Sequence, residues 1–168
     1  MVLMIAIILG VIVLDNLTKW LTVICLEYRE TVPLWQDVFH FTYERNEGAA
    51  FGMLSDHRWV FMVVSTVAII GLLIYLFGFK PKSKLMQISL AMIAGGGIGN
   101  MIDRVYLGYV VDFIDVRLIN FAVFNVADSF VTVGAFIFMG YMIYDTVQEY
   151  KREQAAKSQE AIEDDAEN

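Results

Sequence analysis

The chain has 168 residues, 58% of them hydrophobic, and a formal net charge of −7. Soluble domains average about 45–50% apolar, so the composition excludes an ordinary soluble domain and points to a bilayer. One cysteine (Cys25) and two histidines (His40 and His57) outside any HExxH pattern leave no disulfide framework, no metalloprotease ligand set and no basic stripe for nucleic acid.

Four stretches reach the roughly 20 mostly apolar residues that a membrane span requires. The first, "MVLMIAIILGVIVLDNLTKWLTVICL", runs from the start to Leu26. It lacks a basic leading region and a small-residue cleavage site, so it reads as a retained helix and not as a signal peptide. Asp15 and Lys19 lie four apart on it, a spacing at which an acid and a base pair on one helix face. The segment 27–58 follows and is too long for a simple turn. Within it "FHFTYER" alternates, Phe39, Phe41 and Tyr43 against His40, Thr42 and Glu44, which is the period of a strand. Trp35, Phe39 and Phe41 suit the headgroup level, where aromatic side chains are favoured. "NEGAAFG" (Asn46 to Gly52) then reads as a turn of small residues that lets backbone approach closely.

The second span runs from Trp59 to Phe79 and the third from Leu85 to Ile102, joined by a short link with Lys80, Lys82 and Lys84. "GGGIGN" in the third span follows no strand and is not GxGxxG. Close helix packing through Gly95 and Gly99 is the reading it supports. The loop after it carries Asp112, Asp115 and Arg117, the last two read as loop charges at the interface. The fourth span, Val126 to Asp145, is followed by Lys151, Arg152 and Lys157. Basic clusters mark the cytoplasmic side, which puts both termini inside and segment 27–58 outside. Arg29, Arg45, Arg58 and Arg117 lie in the outer loops, so the bias is moderate. Residues 151–168 form an acidic, frayed cytoplasmic tail. Residues 1–150 form one membrane-embedded domain.

With that topology Asn46, Asn100, Asp103, Arg104, Asp112, Asn125 and Asp128 gather near the outer membrane face. Ionisable groups at membrane depth cost several kcal/mol, about 2.5–3.5 by insertion scales, and default to functional hypotheses. Each also has a structural reading. Asp103 and Arg104 suit the interfacial end of a helix, and Asn125 with Asp128 three residues on has the spacing of an N-cap with an acidic third residue. Cys25 and His57 read as inert. Serine or cysteine nucleophiles need a histidine at the site, and neither histidine lies on a span. A close carboxylate pair sharing one proton can hydrolyse a peptide bond without metal or covalent intermediate. A proton-coupled transporter would also use membrane carboxylates, but with internal repeats and polar groups near the midplane. A non-catalytic scaffold is the third class left open by the residues.

Five blocks then fall in order: "DNLTK", "NEGAAFG", "GGGIGNMIDR", "VVDFID" and "FNVADS". Together they resemble lipoprotein signal peptidase (signal peptidase II). The resemblance implies four transmembrane helices with a small extracytoplasmic β-cradle, of which "FHFTYER" is similar to a part, and an amphipathic helix lying on the membrane. It implies an aspartic endopeptidase of the bacterial cytoplasmic membrane that cleaves prolipoproteins just before a diacylglyceryl-modified cysteine. It makes Asp112 and Asp128 the catalytic dyad. It makes Asp15, Lys19, Asn46, Gly48, Asn100, Asp103, Arg104 and Asn125 the residues that shape the site and hold substrate. No cofactor or metal is implied. The partners are prolipoproteins and membrane lipids, and the enzyme is expected to be a monomer.

Overall fold

The structure is a computed structural model and describes residues 1–48 and 58–167. In chain order come α1 (Val2–Cys25), β1 (Thr31–Trp35), β2 (Phe39–Asn46), α2 (Arg58–Ile74), α3 (Lys84–Tyr106), β3 (Val110–Asp115) and α4 (Val126–Glu167). Four helices are long and apolar enough to cross a membrane, as the sequence leads one to expect. His57 and residues 49–52 of the small-residue turn lie outside the described residues.

α3 is the centre of the bundle. It packs against α1, α2 and α4, and 44% of its span is buried, against 6% for that of α2. This is why α3 tolerates Gln, Ser, Asn and Asp where α2 is almost wholly aliphatic and aromatic. On α1 the buried residues are Met4, Ile8, Val11, Asp15, Lys19 and Thr22. They recur every three or four positions, one stripe of a helix, so Asp15 and Lys19 face the protein and not lipid. Glycines set the approach distances on the facing surface. A Cβ at Gly95 would come within 2.9 Å of the Val11 Cβ, and one at Gly99 within 2.6 Å of the Asp15 carboxylate. At Gly96 it would collide with the Ala127 carbonyl of α4.

β1, β2 and β3 form an antiparallel sheet with β2 in the middle. β2 and β3 pair from His40↔Asp115 to Asn46↔Val110, with an irregularity between Phe41 and Glu44. That bulge breaks the strict alternation read from "FHFTYER": His40 and Tyr43, on opposite faces by count, are both buried. β3 replaces the expected loop around Asp112. α3 ends where Gly108, at φ 86, turns the chain with its N–H on the Asp103 carbonyl, a helix stop that glycine makes without steric penalty. The chain then pairs with β2.

One expectation changes. The acidic tail is not frayed: α4 continues through Glu167, because residues 146–167 contain no Gly or Pro and are rich in the helix formers Ala, Glu, Gln and Lys. Its 42 residues span about 60 Å, twice the hydrocarbon core. Among the described residues of the segments joining α1 to α2 and α3 to α4, the helical piece present is the short 3₁₀ turn Arg117–Ile119; residues 49–57, where the expected amphipathic helix could fall, lie outside the described residues.

Candidate active site

The site is assembled where β3 and the first turn of α4 meet α3. Asn125 caps α4: its Oδ1 accepts from the Asp128 backbone N–H at 2.9 Å, while the Asp128 Oδ2 accepts from the Asn125 N–H at 3.3 Å. This is a reciprocal capping box. The capping role occupies only one oxygen of Asp128: the other, Oδ1, accepts from Asn100 Nδ2 at 2.7 Å. The Asn125 Nδ2 meanwhile donates to Asp112 Oδ1 at 2.7 Å and also lies 3.0 Å from Asn100 Oδ1. One fully buried side chain therefore joins the Asp112 carboxylate to the backbone N–H of Asp128, and Asn100 completes the path to the Asp128 carboxylate.

Asp112 is 2% exposed. Its Oδ2 accepts from Asn46 Nδ2 at 3.0 Å, and Asn46 is itself oriented by the Gly48 N–H on its Oδ1 at 3.1 Å. Burial, and then the neighbouring Asp128 charge, push the Asp112 carboxyl up to about 7, with the Asn46 and Asn125 amides opposing the shift. Arg104 reaches the Asn100 carbonyl at 3.3 Å and the Gly48 carbonyl at 3.5 Å, so it ties segment 27–48 to α3.

Behind this layer lies a buried ionic cluster. The Lys19 ammonium is 2.7 Å from Asp15 Oδ2 and 3.0 Å from Asp103 Oδ2, and donates to Asn100 Oδ1 at 2.8 Å. Asp15 Oδ1 accepts from the Ala127 N–H at 2.9 Å. Asp103 Oδ2 accepts from the Val111 N–H at 3.0 Å. The expected Asp15–Lys19 pair is present, then, as part of a larger network. Buried charges are tolerable when their remaining hydrogen-bonding groups are satisfied in this way.

The two carboxylates line a cavity of about 490 Å³ together with Asn46, Asn100 and Arg104. The rest of the wall is largely apolar, from Phe121, Val123, Phe124 and Val133, with Ser129 and Thr132 adding hydroxyls. A cavity with one acidic end and an apolar flank suits a chain segment that is itself mostly apolar. Among the described residues no group of three or more His, Cys, Asp or Glu is arranged to hold a metal ion.

All ten residues singled out in the sequence (Asp15, Lys19, Asn46, Gly48, Asn100, Asp103, Arg104, Asp112, Asn125 and Asp128) join this one network. Asp115 does not. It is not the interfacial loop charge the sequence suggests but is 7% exposed, accepting from the Thr42 hydroxyl at 2.7 Å and from Arg117 Nε at 2.9 Å. It pins β3 to β2. Sequence reasoning also misses the backbone donors Val111 and Ala127, which directly precede Asp112 and Asp128. It misses Arg45 as well, whose guanidinium lies 4.7, 5.0 and 5.5 Å from the ring centres of Tyr28, Tyr109 and Tyr43, a cation–π cage on the strand residue next to Asn46. Tyrosines bracketing an outer-loop arginine were the available signal.

The family model described as "Signal peptidase (SPase) II" matches residues 7–144. A lipoprotein signal peptidase of Caldanaerobacter subterraneus subsp. tengcongensis is 49% identical over 139 residues, 83% of this chain and 94% of that protein. One from Brevibacillus brevis is 42% identical over 142 residues, 84% of this chain and 93% of that protein. A solved structure described as a bacterial membrane enzyme superimposes with a TM-score of 0.81 at 30% identity, covering 87% of this chain and 90% of that one.

Proposed function

The chain belongs to the signal peptidase II family, whose members are aspartyl peptidases, and from that premise we propose that Asp112 and Asp128 are its catalytic pair and that it cuts prolipoproteins just before a diacylglyceryl-modified cysteine. It is a multi-pass bacterial membrane protein. The observation that carries the catalytic assignment is the buried Asn125 side chain, whose amide donates to the Asp112 carboxylate and whose oxygen accepts from the Asp128 backbone N–H, so that both aspartates are held at one cavity.

With its carboxyl raised to about 7, Asp112 holds the proton of the pair near neutral pH, and Asp128 is the partner free to act as base. Water between them loses a proton to Asp128 as its oxygen bonds to the scissile carbonyl carbon. The carbonyl oxygen takes the proton of Asp112. Collapse of the resulting diol returns a hydroxyl proton to Asp112, breaks the carbon–nitrogen bond and delivers the Asp128 proton to the leaving nitrogen, so both groups finish as they began. Two acyl chains anchor a modified cysteine firmly at the bilayer surface, which holds its preceding peptide bond at one depth. The apolar cavity wall then faces the hydrophobic signal segment.

The lysines at 80, 82 and 84 and the basic residues at 151, 152 and 157 support cytoplasmic termini with the dyad at the outer face. The test presents the membrane-inserted enzyme with a diacylglyceryl-modified prolipoprotein beside its unmodified form. Cleavage of only the modified form is expected, leaving the lipidated cysteine at the new amino terminus. Equal cleavage of both would remove the lipid requirement. For orientation, in a Cys25→Ser background, cysteines at Ser83 and Ser158 should react only with reagents that enter the cytoplasm, and one at Gln36 should react from outside. Outside labelling at Ser83 would reverse the topology.

A further inference from the structure

Lys19 stands behind the cavity wall and touches neither of the proposed catalytic carboxylates, yet each of its three polar contacts leads to them by a separate route. Through Asp15 it reaches the N–H of Ala127, the residue before Asp128. Through Asp103 it reaches the N–H of Val111, the residue before Asp112. Through the Asn100 amide it reaches Asp128 Oδ1 itself. The ammonium thus makes one hydrogen bond, to Asn100, and two ion pairs, to Asp15 and Asp103, each at 3.0 Å or less.

Resting on the catalytic reading above, we infer that Lys19 is a positioning residue that fixes the separation of Asp112 and Asp128 by tying the backbone beneath each of them to a single buried charge. A purely space-filling role does not require this arrangement. An aliphatic stripe continuing Met4, Ile8 and Val11 would pack α1 on α3 with no charge to bury, and such replacements of buried ionic groups are often neutral or stabilising. The glycine at position 99 makes the same point from the opposite side. Any larger residue there would meet the Asp15 carboxylate, so α3 leaves room for the cluster. Arginine does not substitute for the lysine, because a planar fork cannot direct three donors to acceptors grouped around one point.

The groups that face this ammonium or the dyad are Asp15 from α1, Asn46 from β2, Asn100, Asp103 and Arg104 from α3, Asp112 from β3, and Asn125 with Asp128 from α4. Lys19 contributes the only cation in direct contact with Asp15 and Asp103 among the described residues. Its charge also weakens the hold of Asp112 on a proton. Loss of the charge should therefore carry the alkaline limb of the rate profile to higher pH. Loss of geometry with the charge retained should lower turnover and leave that limb where it is.

The experiment compares purified parent, Lys19→Met, Lys19→Arg and Asp112→Asn enzymes for folded yield, kcat, KM and the pH dependence of kcat on a diacylglyceryl-modified precursor. For Lys19→Met the expected result is a fall in kcat of about 100-fold, the size of effect that a misplacement near 1 Å produces, with KM unchanged and the alkaline limb displaced upward. Lys19→Arg should lose kcat with the limb unmoved. A folded Lys19→Met enzyme with parent kcat and parent pH profile would overturn the inference. If that variant does not fold, parent kcat in folded Lys19→Arg would overturn it instead. Should Asp112→Asn retain turnover, it is the dyad assignment that fails, and the two failures are thereby told apart.

Discussion

Asp112 and Asp115 stand on the same six-residue strand, both buried, and three positions apart, which sends their side chains to opposite faces. Asp115 finds a hydroxyl and a guanidinium, Thr42 and Arg117. Asp112 finds two neutral amides, Asn46 and Asn125, while its burial, and then the neighbouring Asp128 carboxylate, push its proton affinity up against them. Thr42 and Arg117 make Asp115 a link between β3 and β2. Burial with a like charge, and no cation in contact among the described residues, keeps the Asp112 proton exchangeable near neutral pH.

The sharpest way to break this contrast is on the Asp128 side of the pair. Asp128→Asn keeps shape and removes the base, so turnover should fall by about 10²–10⁴-fold or more. Adding Asp112→Asn to it should cost little further, because groups that act as a unit are not additive. A double variant far weaker than either single one would mean two independent roles. Next in size is Asn125→Ala, which removes the side chain that ties the Asp112 carboxylate to the first turn of α4. About 1.5–3 kcal/mol of lost hydrogen bonding to a charged group corresponds to a tenfold to hundredfold loss of kcat, and the helix cap should take about 1 kcal/mol of stability with it. Parent-level kcat in that variant would show the bridge to be incidental.

Asn46→Ala should act more gently, about tenfold on kcat for one amide hydrogen bond. It carries a sign as well. The Asn46 amide favours ionised Asp112, so the alkaline limb of the pH–rate profile should move up when it is removed. A downward shift would contradict the geometry. The smallest effect concerns stability. A carboxyl raised from 3.8 to about 7 on folding contributes stability that is fully present below the unfolded value and is lost as pH rises through the folded one. The unfolding midpoint of the parent in detergent should thus fall between pH 4 and pH 7 by a share that Asp112→Asn lacks. Parallel pH curves for the two proteins would contradict that.

What the sequence made legible follows from the range of the forces involved. The four spans are local: uninterrupted aliphatic runs read the same way in any surroundings. The collection of polar groups at one end followed from connectivity alone, since α3 ends and α4 begins there. β1 was not legible, because "TVPLW" is short, fully exposed and carries Pro33. It exists as a strand through its pairing with β2. β3 read as a loop because its two aspartates mask an otherwise apolar run, and only β2 and the helices behind it supply their partners. Asp115 was misread for the same reason: Thr42, the hydroxyl that buries it, is 73 positions away in sequence. The spacing of Asp15 and Lys19 announced a pair, but Asn100, 81 positions from Lys19, is what makes the pair a hub.

The central claim is that the two aspartates of β3 differ in kind, and turnover of a diacylglyceryl-modified precursor by purified, folded Asp112→Asn and Asp115→Asn enzymes tests it most directly. Asp112→Asn should be inactive with its folded yield intact. Asp115→Asn should turn over at close to the parent rate while losing up to about 1 kcal/mol of stability, the usual range for a partly exposed ion pair. An active Asp112→Asn beside an inactive Asp115→Asn would contradict the account and move the catalytic carboxylate to the other face of the strand.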